Sequence, residues 1–415
     1  MHSDGQTDAF LRALHLAPRC VDMEETARAF ALEMERGLSG GSSSLMMLKT
    51  YLDAPRRDAL SGSAAAIDIG GTYMRAVLAE VREGRAELKR QAKAFVPGLE
   101  GPVAKDAFFD AVARHLAPIL EEGAALGVAF SHSAEILPNR DGRVLSLSKE
   151  IRVEDIEGAE VCRELRAALR RTGGPVPERC VLLNDTAAVA LAAAAEVSEG
   201  DGIVGLVLGT GMNICYYDDT MGMFINTEAA GFDKFPRGRA DQLVDEKSAT
   251  PGQHLLEKAA AGRYLGDLVL SALRLAAGEG LLSQSCREGL EALPDLSARQ
   301  VSGLLAGSAE GDVLRALCRD SDDERVVLAV AEAVVERAAR LIAAAIAGVL
   351  LRKGATVERP GLVSYEGGTI LGMHALRRRV EAHLERLAGT LGVACRTTSV
   401  EDAVIYGAAL AALME

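Results

Sequence analysis

The chain has 415 residues, of which 49% are hydrophobic and 25% charged, and its formal net charge is −13. This length exceeds what one hydrophobic core usually serves, so two domains are expected. The acidic balance argues against a nucleic-acid partner held on a basic face. Seven cysteines and seven histidines are scattered without a CxxC pair or a metal-ligand spacing. This pattern indicates reduced thiols rather than a disulfide framework or a zinc site.

Membrane and export signals are not predicted. The chain opens without a basic region followed by an apolar core, and its longest apolar stretch, 341–351, is about half the length that a bilayer requires. We therefore expect a soluble, cytoplasmic protein without a membrane partner.

The first half of the chain has the pattern of an α/β unit behind a helical leader. Apolar spacing over 7–39 predicts helix that packs against a domain, and 64–80 predicts two strands joined by glycines. The elements that follow are predicted as a strand near 92–96, a helix over 105–123, strands over 127–130 and 144–148, a helix over 156–171, a strand over 180–183 and an alanine-rich helix to 196.

The second half begins with strands and continues mainly as helices. The predicted strands are 203–208, 213–217 and 223–226, and the predicted helices are 251–260, 264–278 and 326–353. A glycine-rich turn at 366–369 and an apolar closing helix over 400–414 complete the chain.

The hairpin over 64–80 carries the first candidate site. Gly70, Gly71 and Thr72 let the backbone approach a bulky anion and turn N–H groups towards it, which suits phosphate. Asp68 ends the first strand and could hold a magnesium ion through water, since hard cations prefer oxygen ligands. Arg75 is near enough to add positive charge. The alternative is an ordinary hairpin with a Gly-Gly turn.

A second hairpin about 140 residues later has the same plan. The strand over 203–208 ends at Gly209, Thr210 and Gly211, and another strand follows directly. Two such hairpins suggest duplicated domains that bind the two ends of one phosphate chain.

Several ordered blocks together resemble hexokinases of the eukaryotic hexokinase/glucokinase type, within the actin–sugar kinase–Hsp70 ATPase superfamily. They are Gly-Leu-Val-Leu-Gly-Thr-Gly-Met-Asn-Ile-Cys-Tyr at 205–216, Ile-Asn-Thr-Glu at 225–228, Val-Asp-Glu-Lys-Ser at 244–248 and Gly-Arg-Tyr-Leu-Gly at 262–266. The resemblance covers nearly the whole chain. It implies an α/β, two-domain actin-like ATPase (ribonuclease H-like) fold with an interdomain active-site cleft. The implied small domain is 64–183 plus 401–415, and the implied large domain is 1–62 plus 186–398.

The resemblance also implies an activity: transfer of the ATP γ-phosphoryl group to the 6-hydroxyl of a hexose with Mg²⁺, the first step of glycolysis. Glucose is the expected hexose, with fructose or mannose as alternatives, and a monomer or homodimer is expected. Asp185, in the Asn-Asp-Thr block, is the implied base that takes the hydroxyl proton; the alternative is a helix N-cap. Lys149 is implied to steady the charge on the attacking oxygen; the alternative is a solvated charge on a turn.

The remaining site residues also follow from the resemblance. The implied sugar contacts are Ser131, Ser148, Lys149, Asn184, Asp185, Asn213, Glu228, His254 and Glu257. The implied nucleotide contacts are Asp68, Gly70, Gly71, Thr72, Arg75, Gly209, Thr210, Gly211, Gly368 and Thr369, and Asp68 is also the implied magnesium residue. Glu228 and Glu257 would otherwise be read as surface acids.

The chain departs from the family pattern at five places. Tyr73 stands where the family has Asn, His132 lies within a changed Ser-aromatic-Pro sequence, Ser148 replaces Thr, His254 replaces a sugar-contacting Gln, and Gly367 replaces an acid. Two alternatives stay open: a catalytically weak sugar sensor or regulator, and an enzyme of the same superfamily that acts on an N-acetylated or other sugar. The absence of the cysteine cluster of bacterial repressor-type sugar kinases counts against the second.

Overall fold

The computed structural model describes residues 4–55, 60–83, 85–147, 151–196 and 202–414. Its strands, in chain order, are β1 (Leu48–Lys49), β2 (Gly62–Ile69), β3 (Tyr73–Arg82), β4 (Arg85–Phe95), β5 (Val103–Ala104), β6 (Ala125–Phe130), β7 (Ser133–Ile136), β8 (Gly142–Ser146), β9 (Val153–Glu154), β10 (Cys180–Leu183), β11 (Gly202–Leu208), β12 (Met212–Asp218), β13 (Met223–Asn226), β14 (Gly361–Glu366) and β15 (Cys395–Thr398). Its α-helices are α1 (Asp4–Ala13), α2 (Met23–Leu38), α3 (Lys105–Leu116), α4 (Val161–Thr172), α5 (Asp185–Glu196), α6 (Arg239–Lys247), α7 (Leu255–Ala260), α8 (Gly262–Gly278), α9 (Gln284–Ala292), α10 (Ala298–Ala306), α11 (Asp312–Arg315), α12 (Ser321–Lys353), α13 (Gly368–Gly372), α14 (Leu376–Leu391) and α15 (Ala403–Leu413).

The first sheet has the order β10-β6-β2-β3-β4. Strands β2, β6 and β10 are parallel, and β3 and β4 are antiparallel to their neighbours. Both faces of this sheet are covered, α3 and α4 lying on one face and α5 and α15 on the other. This explains the unbroken apolar run of β2. The carboxyl ends of β2, β6 and β10 share one edge, so Asp68, Ser131 and Asp185 lie along it.

The second sheet repeats the plan with the order β1-β13-β12-β11-β14-β15. Strands β11, β14 and β15 are parallel, and β12 and β13 continue the sheet as antiparallel strands. Val207 is paired with Glu366, so the glycines that follow β11 and β14 are neighbours at one edge.

Helix α5 lies between the two sheets, and this position accounts for its alanine-rich composition. All of its residues from Thr186 to Ala195 are buried, because α15 packs on one side and β11 on the other. A Cβ at Gly205 of β11 would lie 2.8 Å from the backbone nitrogen of Ala190. Small side chains therefore allow the close approach, and the first residue of α5, Asp185, lies where the two sheets meet.

Several predicted elements were wrong in their bounds. The leader over 7–39 is two helices, α1 and α2, because Asp22 caps a new helix with its carboxylate. The helix predicted to 123 ends at Leu116, because Pro118 has no backbone N–H with which to continue the helical hydrogen bonds. The helix predicted from 156 begins at Val161. The helix predicted from 251 begins at Leu255, because Gly252 and His254 both have positive φ.

Other bounds also shifted, and several short helices were not predicted. Strand β4, predicted near 92–96, begins at Arg85, and the strand predicted over 144–148 is β8. The helix predicted from 326 begins at Ser321, and the helices predicted over 264–278 and 400–414 are α8 and α15. Helices α6, α9 and α10 were missed, since nine-residue helices among glycines and polar residues give little periodic signal. Among the helices in the described part of the chain, none has the length and apolar character that crossing a bilayer requires.

Candidate active site

Asp185 begins α5 directly after the buried strand β10. Its Oδ1 accepts hydrogen bonds from the Thr186 backbone N–H at 2.7 Å and hydroxyl at 3.1 Å, and the Asn184 Oδ1 accepts from the same N–H at 2.9 Å. Burial raises the pKa of Asp185, while hydrogen bonds from Ser131 and Thr186 act in the opposite direction. Asn184 and Asp185 thus share the capping of α5, and Asp185 is a half-buried carboxylate with an elevated proton affinity.

Asp68 lies at the same edge, one residue before the end of β2. Its Oδ1 is buried and has no hydrogen-bond partner among the described residues. Burial, followed by the charges of Asp185 and Glu366, raises the pKa of Asp68 to about 7, and only Arg75 opposes them. An unpartnered buried carboxylate is costly unless a cation approaches it.

These acidic groups fit a magnesium ion held through water. Asp68, Asp185 and Glu366 are close enough for their charges to act on one another, and magnesium prefers oxygen ligands. No group of three or more acidic, histidine or cysteine side chains in the described ranges has the arrangement of a protein-only metal cage. Magnesium usually keeps several of its waters, so a contact of this kind suits it.

Replacing Asp68 with Asn should stabilise the ligand-free protein. The folded-state pKa of Asp68 is raised from 3.8 to about 7, so folding carries a penalty that grows as pH rises from about 4 to 7 and stays constant above. At pH 8 the gain in free energy of unfolding should approach about 4 kcal/mol as a ceiling. Thermal unfolding of both proteins at pH 5 and pH 8 tests this. A larger gain at pH 5 than at pH 8 would contradict it.

Arg75 links the hairpin to the closing helix. Its guanidinium forms two hydrogen bonds with the Asp402 carboxylate, one of them 3.1 Å from the Arg75 nitrogen to Oδ2. It also donates to the Gln91 side-chain oxygen at 2.9 Å. Asp402 precedes α15 with a φ of 53°. The contact of Arg75 with a phosphate stays a prediction, and in this structure its guanidinium is held beside the turn by a carboxylate from the other end of the chain.

A polar group on the second sheet contains several of the predicted sugar contacts. Asn213 of β12 donates to the Asn226 Oδ1 at 2.8 Å and to the Glu228 Oε1 at 3.4 Å. Burial and the charge of Asp185 raise the pKa of Glu228, whereas Asn226, His254 and Asn213 lower it. Glu228 therefore lies within electrostatic reach of Asp185, and the structure brings the two halves of the predicted sugar site together.

His254 and Glu257 complete this side of the site from α7. His254 precedes the helix with a φ of 52°, and burial lowers its pKa while the charge of Glu228 opposes that shift. The Glu257 Oε2 accepts from the Met212 backbone N–H at 3.1 Å. A Cβ at Gly211 would lie 2.7 Å from the same oxygen, so glycine at this position is what admits Glu257.

The glycine turns after β11 and β14 meet around one cavity. The Gly209 carbonyl oxygen accepts from the Gly262 backbone N–H at 2.9 Å and from the Thr369 hydroxyl at 2.8 Å. Gly367 has a φ of 111°, and a Cβ there would lie 2.5 Å from the Leu208 carbonyl oxygen. The cavity has a volume of about 400 Å³ and is lined by Gly209, Thr210, Gly262, Arg263, Ala298, Arg299, Ser302, Gly368, Thr369, Gly372 and Met373.

Two departures from the family pattern have a structural account. Tyr73 is 43% exposed and its ring stacks on Phe95 with the ring centroids 4.8 Å apart, so the ring lies outside the glycine turn. Tyr73 contacts the turn through its backbone carbonyl oxygen, which accepts a hydrogen bond from the Gly70 N–H. His132 is buried against Phe130 and hydrogen-bonds the Gly70 backbone, and burial lowers its pKa to about 4. His132 is therefore uncharged near neutral pH, and it supports the glycine turn at 70–72 through the Gly70 backbone.

Not every predicted residue can be placed. Ser148 and Lys149 lie outside the described residues, so their roles stay predictions. Sequence reasoning missed Glu366, which lies at the end of a buried strand just before two glycines, much as Asp68 does; that shared pattern was the available signal. It also missed Asn226 as a partner of Glu228, because such a contact has no local signature.

Family models described as "Hexokinase" match residues 203–414 and 7–195 of the chain. The chain belongs to the hexokinase family. It is 30% identical to Hexokinase-1 of Oryza sativa subsp. japonica over 88% of this chain and 82% of that protein. It is also 30% identical to human Hexokinase HKDC1 over 98% of this chain, which spans about half (47%) of that longer relative.

Solved structures agree on the fold. The Schistosoma mansoni hexokinase complexed with glucose superposes with a TM-score of 0.80 at 23% identity, covering 99% of this chain and 100% of that one. Another hexokinase crystal structure gives 0.83 at 24% identity, with 99% of each chain covered. The predicted two-domain actin-like ATPase fold is confirmed. The boundaries at 62–64, 183–186 and 398–401 stay predictions.

Proposed function

We propose that this hexokinase-family chain transfers the γ-phosphoryl group of ATP to the 6-hydroxyl of a hexose, glucose before fructose or mannose, as in the first step of glycolysis. The observation that carries the proposal is the position of Asp185. It is a half-buried carboxylate with a raised pKa where the two sheets meet, within electrostatic reach of both Asp68 and Glu228. Phosphoryl transfer needs such a carboxylate between the phosphates and the accepting hydroxyl.

In this proposal Asp185 accepts the proton of the attacking hydroxyl. Hydrogen bonds from Ser131 and Thr186 orient its carboxylate, and burial brings its proton affinity closer to that of a working base. Glu228, Asn213 and the other sugar-side groups accept or donate the hydrogen bonds that each buried hydroxyl requires. Lys149 is proposed to stabilise the charge that develops on the attacking oxygen.

The phosphates would be bound from both sheets. The turns at 70–72 and 209–211 supply backbone N–H groups and the hydroxyls of Thr72 and Thr210, and the cavity behind Thr210 receives the nucleoside. Magnesium, when bound, would neutralise phosphate charge, and Asp68 would hold it through water. Closure of the proposed small domain onto the large one would exclude water as a competing acceptor.

A coupled ADP-release assay with glucose, fructose, mannose and glucosamine, run beside Asp185→Ala, tests the proposal. We expect at least one hexose to stimulate ADP release in the wild type and none to do so in the variant. Calorimetric titration of glucose should be run on both proteins. Glucose binding without any stimulated ADP release would favour the sugar sensor and overturn the kinase.

A further inference from the structure

Asn226, at the end of β13, lies behind two of the proposed sugar contacts and is 4% exposed. Its strand is paired on both sides, with Cys215 opposite Asn226 on β12 and Leu48 opposite it on β1. The backbone of Asn226 is therefore held between two neighbouring strands of the second sheet. Its position behind the site, rather than at its surface, argues for a role exerted through its neighbours.

The hydrogen bonds around Asn226 run in one direction. The Asn213 Oδ1 accepts from the backbone N–H groups of Ile214 at 2.8 Å and Ala229 at 3.2 Å, so its amide nitrogen must point away from them. That nitrogen donates to the Asn226 Oδ1 at 2.8 Å, and the Asn226 nitrogen donates to the Glu228 Oε1 at 2.8 Å. Backbone donors thus fix both amides, and the chain of donors ends on a carboxylate. Hydrogen bonds aligned in this way strengthen one another.

The same amide closes a strained turn. Glu228 has a φ of 53° and a ψ of 50°, a left-handed conformation that costs a non-glycine residue of order 1 kcal/mol or more. The Glu228 backbone N–H donates to the Asn226 Oδ1 at 3.2 Å. Asn226 therefore contacts both the backbone and the carboxylate of Glu228, which restricts the rotation of this side chain.

We propose that Asn226 is the positioning residue of the sugar site: it orients the Glu228 carboxylate as a hydrogen-bond acceptor for a sugar hydroxyl. Among the described residues, the side-chain hydrogen bonds to Glu228 reach Oε1, so Oε2 presents its lone pairs to the hydroxyl donor. This inference rests on the proposed function, in which Glu228 contacts the sugar and Asn226 sets the orientation of Glu228.

Electrostatics supply a readout that a purely structural role would not move. Burial and the charge of Asp185 raise the pKa of Glu228, while Asn226, His254 and Asn213 lower it. Removing the Asn226 donor leaves the ionised form less stabilised, so the pKa of Glu228 should rise. The acid limb of hexose binding, which is the low-pH range over which binding is lost, should then move to higher pH.

The test compares Asn226→Ala and Asn226→Asp with the wild-type enzyme by calorimetric titration of glucose from pH 5 to pH 8. A matched control is Ser364→Ala, a buried polar residue of the same sheet whose hydroxyl has no partner among the described residues. We expect glucose affinity to fall at least tenfold in both Asn226 variants, more in Asn226→Asp because a like charge then faces Glu228. The acid limb of Asn226→Ala should shift upward by about half a pH unit or more, and the dissociation constant of ATP should stay within about twofold of wild type.

Glucose affinity within twofold of wild type, with an unmoved acid limb, would overturn the proposal. So would losses of glucose affinity, ATP affinity and melting temperature that occur together, since they would indicate a role in folding alone. If Asn226→Asp does not fold, Asn226→Ser, which keeps a donor, should retain more glucose affinity than Asn226→Ala. Because the readout is binding, an inactive wild type would refute the proposed reaction without deciding the role of Asn226.

Discussion

Replacing Asp185 with Asn should lower kcat by about 10³-fold while leaving glucose affinity within a few-fold of wild type. The substitution keeps the shape of the side chain, so the neighbouring Asn184 and Thr186 can stay in place, but it removes the group that accepts the hydroxyl proton. A positioned general base is worth about 10² to 10⁴ in rate. The melting temperature should not fall, because burial already disfavours the ionised form of Asp185. The ADP-release assay and a thermal melt measure both effects.

A suitable control is Asp110→Asn. Asp110 forms a surface ion pair with Arg171 at 2.6 Å on the outer helices α3 and α4, and such pairs contribute little. Its kcat should match wild type. If Asp185→Asn retained a tenth of the wild-type kcat or more, Asp185 would be no more than a cap of α5, which is the structural alternative that its sequence context leaves open.

Replacing Gly407 with Ala should destabilise the protein by about 2 to 3 kcal/mol and reduce kcat as well. A Cβ at Gly407 would lie 2.0 Å from the carbonyl oxygen of Ala188, so α15 and α5 would have to separate. Helix α5 begins at Asp185, and α15 begins beside Asp402, the partner of Arg75. A displacement between these helices would therefore reach the site. The apparent melting temperature and kcat of the variant are the measurements.

Gly389→Ala is the matched control for this prediction. Gly389 lies within α14, and a Cβ there would meet nothing within 4 Å. Alanine also favours helix over glycine by about 1 kcal/mol, so this variant should be as stable as wild type or slightly more so. A Gly407→Ala protein with wild-type melting temperature and kcat would mean that the two helices can adjust without disturbing the site.

The sequence was most informative where a feature is local. Glycine turns after apolar strands predicted both hairpins, and the first was found with Asp68 opposite Arg75. The strand over 180–183 was predicted with its observed bounds. Helix ends were less predictable, because His254 and Gly252 terminate the regular pattern through backbone angles that side-chain periodicity does not encode.

What the sequence by itself determined is the chemical inventory: which carboxylates, amides and glycines follow which buried strands, and hence the family. Only the tertiary structure decided how these groups act on one another. It pairs Arg75 with Asp402, 327 residues away, brings Glu366 within electrostatic reach of Asp68 and Asp185, and directs Asn226 at Glu228. The physical reason is that a residue's local pattern sets its strand, turn or helix, whereas its charge state and hydrogen-bond partners depend on burial and on groups that only packing brings near.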